Sequence, residues 1–198
     1  MKIEYFFGIP SPFAYLGSTR FQSIVKKFNA EIIEKPCDLV GGIFAKTGGL
    51  PVPQRSPQRQ KYRLDELKRW SKFLNIKINL KPKFFPPKDP HISGKYTIAA
   101  NLLGVKLVFG HELLKQIWSE EKDISDEKNI KEVSNLFNLN FQKLSDLAKS
   151  EKVSKIYQSN TEDAVAKNVF GSPTYIYNDE LFWGQDRLDF LERALNNS

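Results

Sequence analysis

Ser11-Pro12-Phe13-Ala14 sets a hydroxyl directly ahead of a proline, just beyond the apolar run "KIEYFFG". Serine before proline suits a helix start. The serine oxygen accepts a backbone N–H two or three residues on, and proline fits the first helical position, where its N–H is not needed. The same N-terminus attracts anions, and a thiolate placed there is held below the ordinary thiol value of about 8.5. The chain has a single cysteine, Cys37, and it is not at this turn. A thiol used here has to arrive with a ligand.

Other chemically capable residues read more plainly. His91 and His111 stand 20 positions apart without metal-ligand spacing, so no metal site is expected. No Ser-His-Asp arrangement or phosphate-cradling glycine loop is visible. Cys37, at the end of an apolar segment, reads as a small buried hydrophobe that allows no intrachain disulfide. Asp186 opens the last helical stretch, where an acid complements the helix dipole.

The elements that must position these groups follow from pattern. Residues 2–8 are β-branched and aromatic and read as a buried strand. A helix is expected from Pro12 to about Asn29, and a second strand over 30–39, stopping near Pro36. The Gly- and Pro-rich stretch 41–57 reads as loop. From Arg59 to about Lys167 the pattern is helical, interrupted by "KPKFFPPKDP"; its first helix carries Leu64, Leu67, Trp70, Phe73 and Leu74 on one apolar stripe, with Trp70 expected in the core. Two short strands then flank Asn178-Asp179, a suitable two-residue hairpin turn, and a helix closes the chain from Asp186 to Leu195.

This order, β-α-β, helices, β-β-α, predicts an α/β thioredoxin-like domain over residues 1–198, with a large all-helical insertion at about 57–167. In that fold the first strand-to-helix turn carries Cys-x-x-Cys; here Ser11 and Ala14 occupy the two cysteine positions. The fold also sets a cis-proline opposite that turn, which selects Ser172-Pro173 ahead of "TYIY".

"YFFGIPSPFAYLGS", "KYRLDELKRW", "VFGSPTY" and "ELFWGQDRLDFLERAL" together resemble the 2-hydroxychromene-2-carboxylate isomerases and their relatives, the kappa-class glutathione transferases, along essentially the whole chain. The resemblance implies a glutathione-binding homodimer acting on a small aromatic or electrophilic substrate. It gives Ser11 the glutathione sulfur. The backbone at Ser172, ahead of Pro173, takes the cysteinyl backbone, with no use for the serine side chain. Gln185 and Asp186 take the γ-glutamyl end. Arg59 and Tyr62 stand where the relatives have a lysine and a tyrosine facing a glutathione carboxylate, with Arg55, Lys61 and Arg63 as neighbouring alternatives. Leu50 falls near the place of a common asparagine, and Phe84 and Phe85 are expected to wall the active-site mouth.

Composition bounds the rest. The chain of 198 residues is 40% hydrophobic and carries a net charge of +7, spread along its length without a block. Solvated helix faces are the default reading of that charge, since no nucleic-acid-binding signature accompanies it. The start of the sequence lacks signal-peptide character and no apolar run approaches the roughly 20 residues of a membrane span. A cytoplasmic protein free of nucleic-acid and membrane partners is the resulting expectation.

Overall fold

The computed structural model describes residues 1–197. It is built on a four-stranded sheet in the order β2-β1-β3-β4. β1 (Lys2–Phe7) leads into α1 (Pro12–Phe28), which ends at Asn29 in the left-handed region, φ 46°. The chain returns in β2 (Glu31–Pro36), parallel to β1 and paired from Lys2↔Glu31 to Phe7↔Pro36. This crossover follows from the local signals: Ser11 caps α1, Pro12 starts it, and an asparagine tolerates the positive φ that turns the chain back.

After β2 the chain departs from expectation. Residues 41–57 are not loop throughout. A π-helical turn (Leu39–Phe44) runs into α2 (Ala45–Thr47), and a 3₁₀ turn covers Val52–Gln54. Asp38 explains the first piece: its Oδ1 accepts the Gly41 N–H at 2.9 Å, while its own N–H donates to Thr161 Oγ1 at 3.0 Å. Gly42 lies so close to Thr161 that a Cβ would come within 2.2 Å of its methyl, so glycine permits the approach.

Six helices follow: α3 (Pro57–Leu74), α4 (Ile92–Leu102), α5 (Val108–Ser119), α6 (Glu127–Leu136), α7 (Phe141–Ala148) and α8 (Glu151–Ala166). Two readings are corrected within them. Of the apolar stripe on α3 only Leu67 is fully buried; Trp70 is half-buried and Phe73 is 76% exposed. Trp70 is therefore not core: its indole N–H donates to Glu66 and its ring meets Phe73 edge-on at 5.5 Å. The charged connection 119–128, which reads from sequence as a solvated link, is anchored by Ile124, completely buried in its middle.

The chain returns to the sheet with β3 (Thr174–Tyr177) and β4 (Glu180–Trp183), both antiparallel, and closes with α9 (Leu188–Asn196). Asn178 and Asp179 both take positive φ, 48° and 62°, as a tight hairpin turn demands.

Strand alternation divides the interior. Ile3, Tyr5 and Phe7 face the larger core, where Tyr5 stacks on Phe7 and Tyr175 at 4.3 and 5.2 Å, and Phe21 of α1 tilts against Tyr5 and Tyr175. Burying a side chain such as Phe21 contributes roughly 2–3 kcal/mol. Phe6 faces the other way, into a smaller cluster with Cys37, Ile43, Ala164 and Val169 beneath α8. On that side Lys35 meets Glu4 at 2.5 Å and also pairs with Asp163, while Lys167 pairs with Glu4. Among the described residues no helix is long and apolar enough to cross a membrane.

Candidate active site

Ser11 caps α1 at the open end of the parallel strands. Its Oγ accepts the Ala14 N–H at 3.3 Å and donates to the Ser172 carbonyl at 3.1 Å, and its own N–H donates to the Gly8 carbonyl at 2.9 Å. No acidic residue stands in the first turn of α1, so the helix end keeps its positive character. The Ser172–Pro173 bond is cis, at the position selected from the fold order.

The Ser172 side chain is engaged, contrary to expectation. Its Oγ accepts the Gly8 N–H at 3.0 Å, so two serines 161 residues apart bolt the cis-proline loop to the β1–α1 turn from both sides. Chain order could not reveal this, because each bond joins segments that only the folded sheet brings together. Pro173 is held in turn through its carbonyl, which accepts the Gly184 N–H at 2.9 Å.

Cys37 cannot serve as the nucleophile. It is buried, its thiol faces the Phe7 carbonyl at 3.5 Å, and burial followed by the nearby Asp38 charge pushes it up to about 12. The turn thus offers a hydroxyl donor and a helix N-terminus with no usable thiol of the chain's own. That donor set fits a ligand thiolate, and among the described residues no group of three or more His, Cys, Asp or Glu could hold a metal.

The remaining sequence-selected residues fall into two groups. Gln185 and Asp186 lie on a 3₁₀ turn (Gln185–Arg187) after β4. Asp186 is partly exposed, with Arg187 at 3.5 Å. Gln185 is instead 1% exposed, and its side chain packs against Gly17 of α1. In this conformation it lies against the helix. Its two amide atoms have no hydrogen-bond partner, so it supports α1 at a cost in unmet polar groups.

Arg59 and Tyr62 project from the first half of α3 and are exposed, Tyr62 by 61%. Arg55 is tied back by its Nε to the Leu50 carbonyl at 2.7 Å and lies over the Phe44 ring. Arg63 turns inward. Its guanidinium sits 5.4 Å from the Phe85 ring and 5.7 Å from the Trp118 ring, and burial, then the charge of Arg55, lowers its pKa to about 10. Phe85 in turn packs on Trp118 at 4.9 Å, against the larger core.

The charge is also less dispersed than first read. Residues 51–90 hold eleven Lys and Arg against three Asp and Glu, a net +8 that accounts for the whole excess of the chain. The segment comprising α3 and the loops flanking it is therefore a cationic flank that raises the local concentration of anions.

Comparison with known proteins agrees with this fold. The 2-hydroxychromene-2-carboxylate isomerase of Sphingobium xenophagum is 23% identical over 193 residues, 98% of this chain and 97% of that one. Glutathione S-transferase kappa 1 of Caenorhabditis elegans is 24% identical, over 98% of this chain and 90% of its own. A solved 2-hydroxychromene-2-carboxylate isomerase superposes with a TM-score of 0.83 at 24% identity, covering 100% of this chain and 95% of that one. The DSBA-like thioredoxin domain matches residues 2–196, and the chain belongs to that family.

Proposed function

We propose that the chain is a cytoplasmic, homodimeric, glutathione-dependent isomerase, with 2-hydroxychromene-2-carboxylate as the leading substrate type. The observation that carries this reading is the Ser11 hydroxyl, set at a helix N-terminus against the Ser172 carbonyl with no chain thiol at the turn. Bound glutathione would supply a thiolate whose reversible addition to a conjugated double bond permits rotation about it, with no net redox change. Ser11 redirects its proton from the Ser172 carbonyl to the sulfur, which leaves that carbonyl open to a ligand N–H. The α1 N-terminus holds negative charge at the same point. Fixing the nucleophile against the substrate adds the advantage of proximity. Conjugation of small electrophiles is the second reading, supported by the similarity to a kappa glutathione transferase; both begin with the same attack. A redox-inactive peptide-binding module, using the Pro173 edge, is the remaining alternative.

Calorimetry with glutathione and S-methylglutathione tests the assignment. Wild type is expected to bind glutathione in the micromolar to low-millimolar range. Ser11→Ala weakens it by about tenfold, as loss of a hydrogen bond to a charged acceptor implies, and leaves S-methylglutathione unchanged. Titration of the ultraviolet thiolate band shows the bound thiol losing its proton at higher pH in the variant. Absence of glutathione binding to wild type overturns the reading in favour of peptide binding at the Pro173 edge.

A further inference from the structure

Beneath the exposed Arg59 lies a second cationic group that the activity proposed above does not use. Arg63, one turn further along α3, has its Nη2 buried with no hydrogen-bond partner. Beside it the Trp118 indole N–H, on a fully buried residue, is also without an acceptor. Two donors on neighbouring groups with no acceptor between them are unusual, since buried polar groups are nearly always paired. The acidic residues near them in sequence are committed elsewhere, apart from one oxygen of Glu121. On α3, Asp65 pairs with Lys61, and Glu66 takes Arg69 and the Trp70 N–H. Beyond α5, Glu120 pairs with Lys115 and Lys122; Glu121 accepts the Lys83 N–H at 3.0 Å through one oxygen, while its other oxygen is buried without a partner.

Like charges aggravate the deficit. Arg59 and Arg63 are four apart on one helix and therefore neighbours on its surface, a destabilising arrangement without an anion. Arg55 adds to it: its charge acts on Arg63, and that of Arg59 acts on Arg55. Phe85 and Trp118 supply flat apolar surface around the guanidinium. An arginine fork between aromatic rings is suited to a planar anion, which it can bond bidentately while the rings hold the ligand body.

We propose that Arg63, with the Trp118 N–H, is an anion subsite that selects electrophilic substrates carrying a carboxylate on a planar unsaturated body, separate from the Arg59 position assigned to glutathione. This deepens the proposed function and rests on it. Arg63 thereby decides between the two readings left open, favouring a charged substrate over a neutral electrophile.

Calorimetry on wild type, Arg63→Met and Arg63→Lys with glutathione, S-benzylglutathione and S-(para-carboxybenzyl)glutathione tests it. Wild type should prefer the carboxylated probe by at least tenfold. Arg63→Met should erase that preference while glutathione affinity stays within twofold, and Arg63→Lys should restore part of it. Equal affinity of wild type for the two benzyl probes overturns the proposal. So does a uniform loss for all three ligands in Arg63→Met, which would place Arg63 on glutathione's own carboxylate. Cinnamate and its neutral amide, titrated without glutathione, separate the two hypotheses. If no glutathione ligand binds, the proposed cofactor fails, while a cinnamate preference abolished by Arg63→Met still upholds the subsite. Absence of that preference as well overturns it.

Discussion

Two groups of cations that reach toward the interior of this protein are treated oppositely. On the α8 side of the sheet, Lys35 and Lys167 share Glu4, and Lys35 also meets Asp163, with side-chain exposures of 14% for Lys35 and 16% for Glu4. On the α3 side, Arg55, Arg59 and Arg63 meet no carboxylate among the described residues, and Arg63 holds a buried N–H without an acceptor. A buried charge is tolerated when its partner comes from the chain. Where the chain supplies none to three arginines spaced four apart, the fold keeps their charge for something it does not contain. The first cluster belongs to stability and the second to binding.

The largest expected effect probes the paired cluster. Glu4→Ala leaves Lys167 without its nearest carboxylate and Lys35 with Asp163 alone, and should cost about 3 kcal/mol in urea unfolding. The acid limb has a defined sign. Burial tends to raise the Glu4 carboxyl, but hydrogen bonds from Lys167 and Lys35 outweigh it and hold its pKa below the ordinary value. Its contribution is thus present above the unfolded-state pKa and disappears as pH falls through the folded one. A Glu4→Ala protein as stable as wild type at pH 7 would remove the contrast between the two clusters.

A carboxylate on the opposite face of the same sheet should behave in reverse. Glu34 pairs in register with Tyr5, so it faces the larger core, where burial raises its pKa to about 7 against a hydrogen bond from the Leu107 N–H at 2.8 Å. Leu107 sits at φ 62°, in a turn that opens α5, so this acid helps hold a strained backbone. Its other oxygen and His111 Nδ1 both lack partners, and the two residues flank a cavity of about 10 Å³, room for a single water. His111 is lowered by burial and works in the opposite sense across the same pH range, so the comparison has to be differential. A folded pKa raised above the unfolded one favours the protein at low pH and is lost as pH rises through about 7. Wild type should lose about 2 kcal/mol relative to Glu34→Gln between pH 5 and pH 8. Parallel pH curves for the two proteins would place Glu34 in water.

Much of the scaffold was legible because its signals are local. Ser11-Pro12 starts α1, Asn178-Asp179 turns the hairpin, and alternation along β1 sorts Phe6 from Phe7. The missing sulfur at the Ser11 turn was equally plain. What stayed hidden depends on segments meeting. Ser172 looked replaceable until its hydroxyl was found on Gly8, 164 residues away. Gln185 was assigned to glutathione by resemblance alone, and only the folded 3₁₀ turn shows its side chain set against Gly17. The apolar stripe of α3 promised a core helix, yet periodicity says which residues share a face and not what covers it; Phe73 stands in solvent. Arg63 carried one readable sign, a run of arginines at four-residue spacing within a net +8 segment. Its desolvation comes from Phe85 and Trp118, which no local pattern connects to it.

The smallest effect is the most discriminating. If the Arg63 guanidinium were a structural group like Lys35, replacing it with methionine would lower stability by several kcal/mol, as breaking a buried pair does. If it is held for a ligand, the ligand-free protein gains from its removal. Methionine has similar reach, fills the space between Phe85 and Trp118 and needs no partner for a buried N–H. The loss of two cation–π contacts, about 0.5–1 kcal/mol each, is set against relief from desolvation and from repulsion by Arg55 and Arg59. Arg63→Met should therefore be more stable than wild type by about 1 kcal/mol in urea unfolding without multivalent anions. Adding cinnamate should narrow or reverse the difference, because only wild type gains stability from a bound carboxylate. A ligand-free Arg63→Met protein less stable by 2 kcal/mol or more would make the two clusters alike, both structural. A gain that cinnamate cancels would separate them by the one property that distinguishes a binding site from a scaffold: stability given up until the ligand arrives.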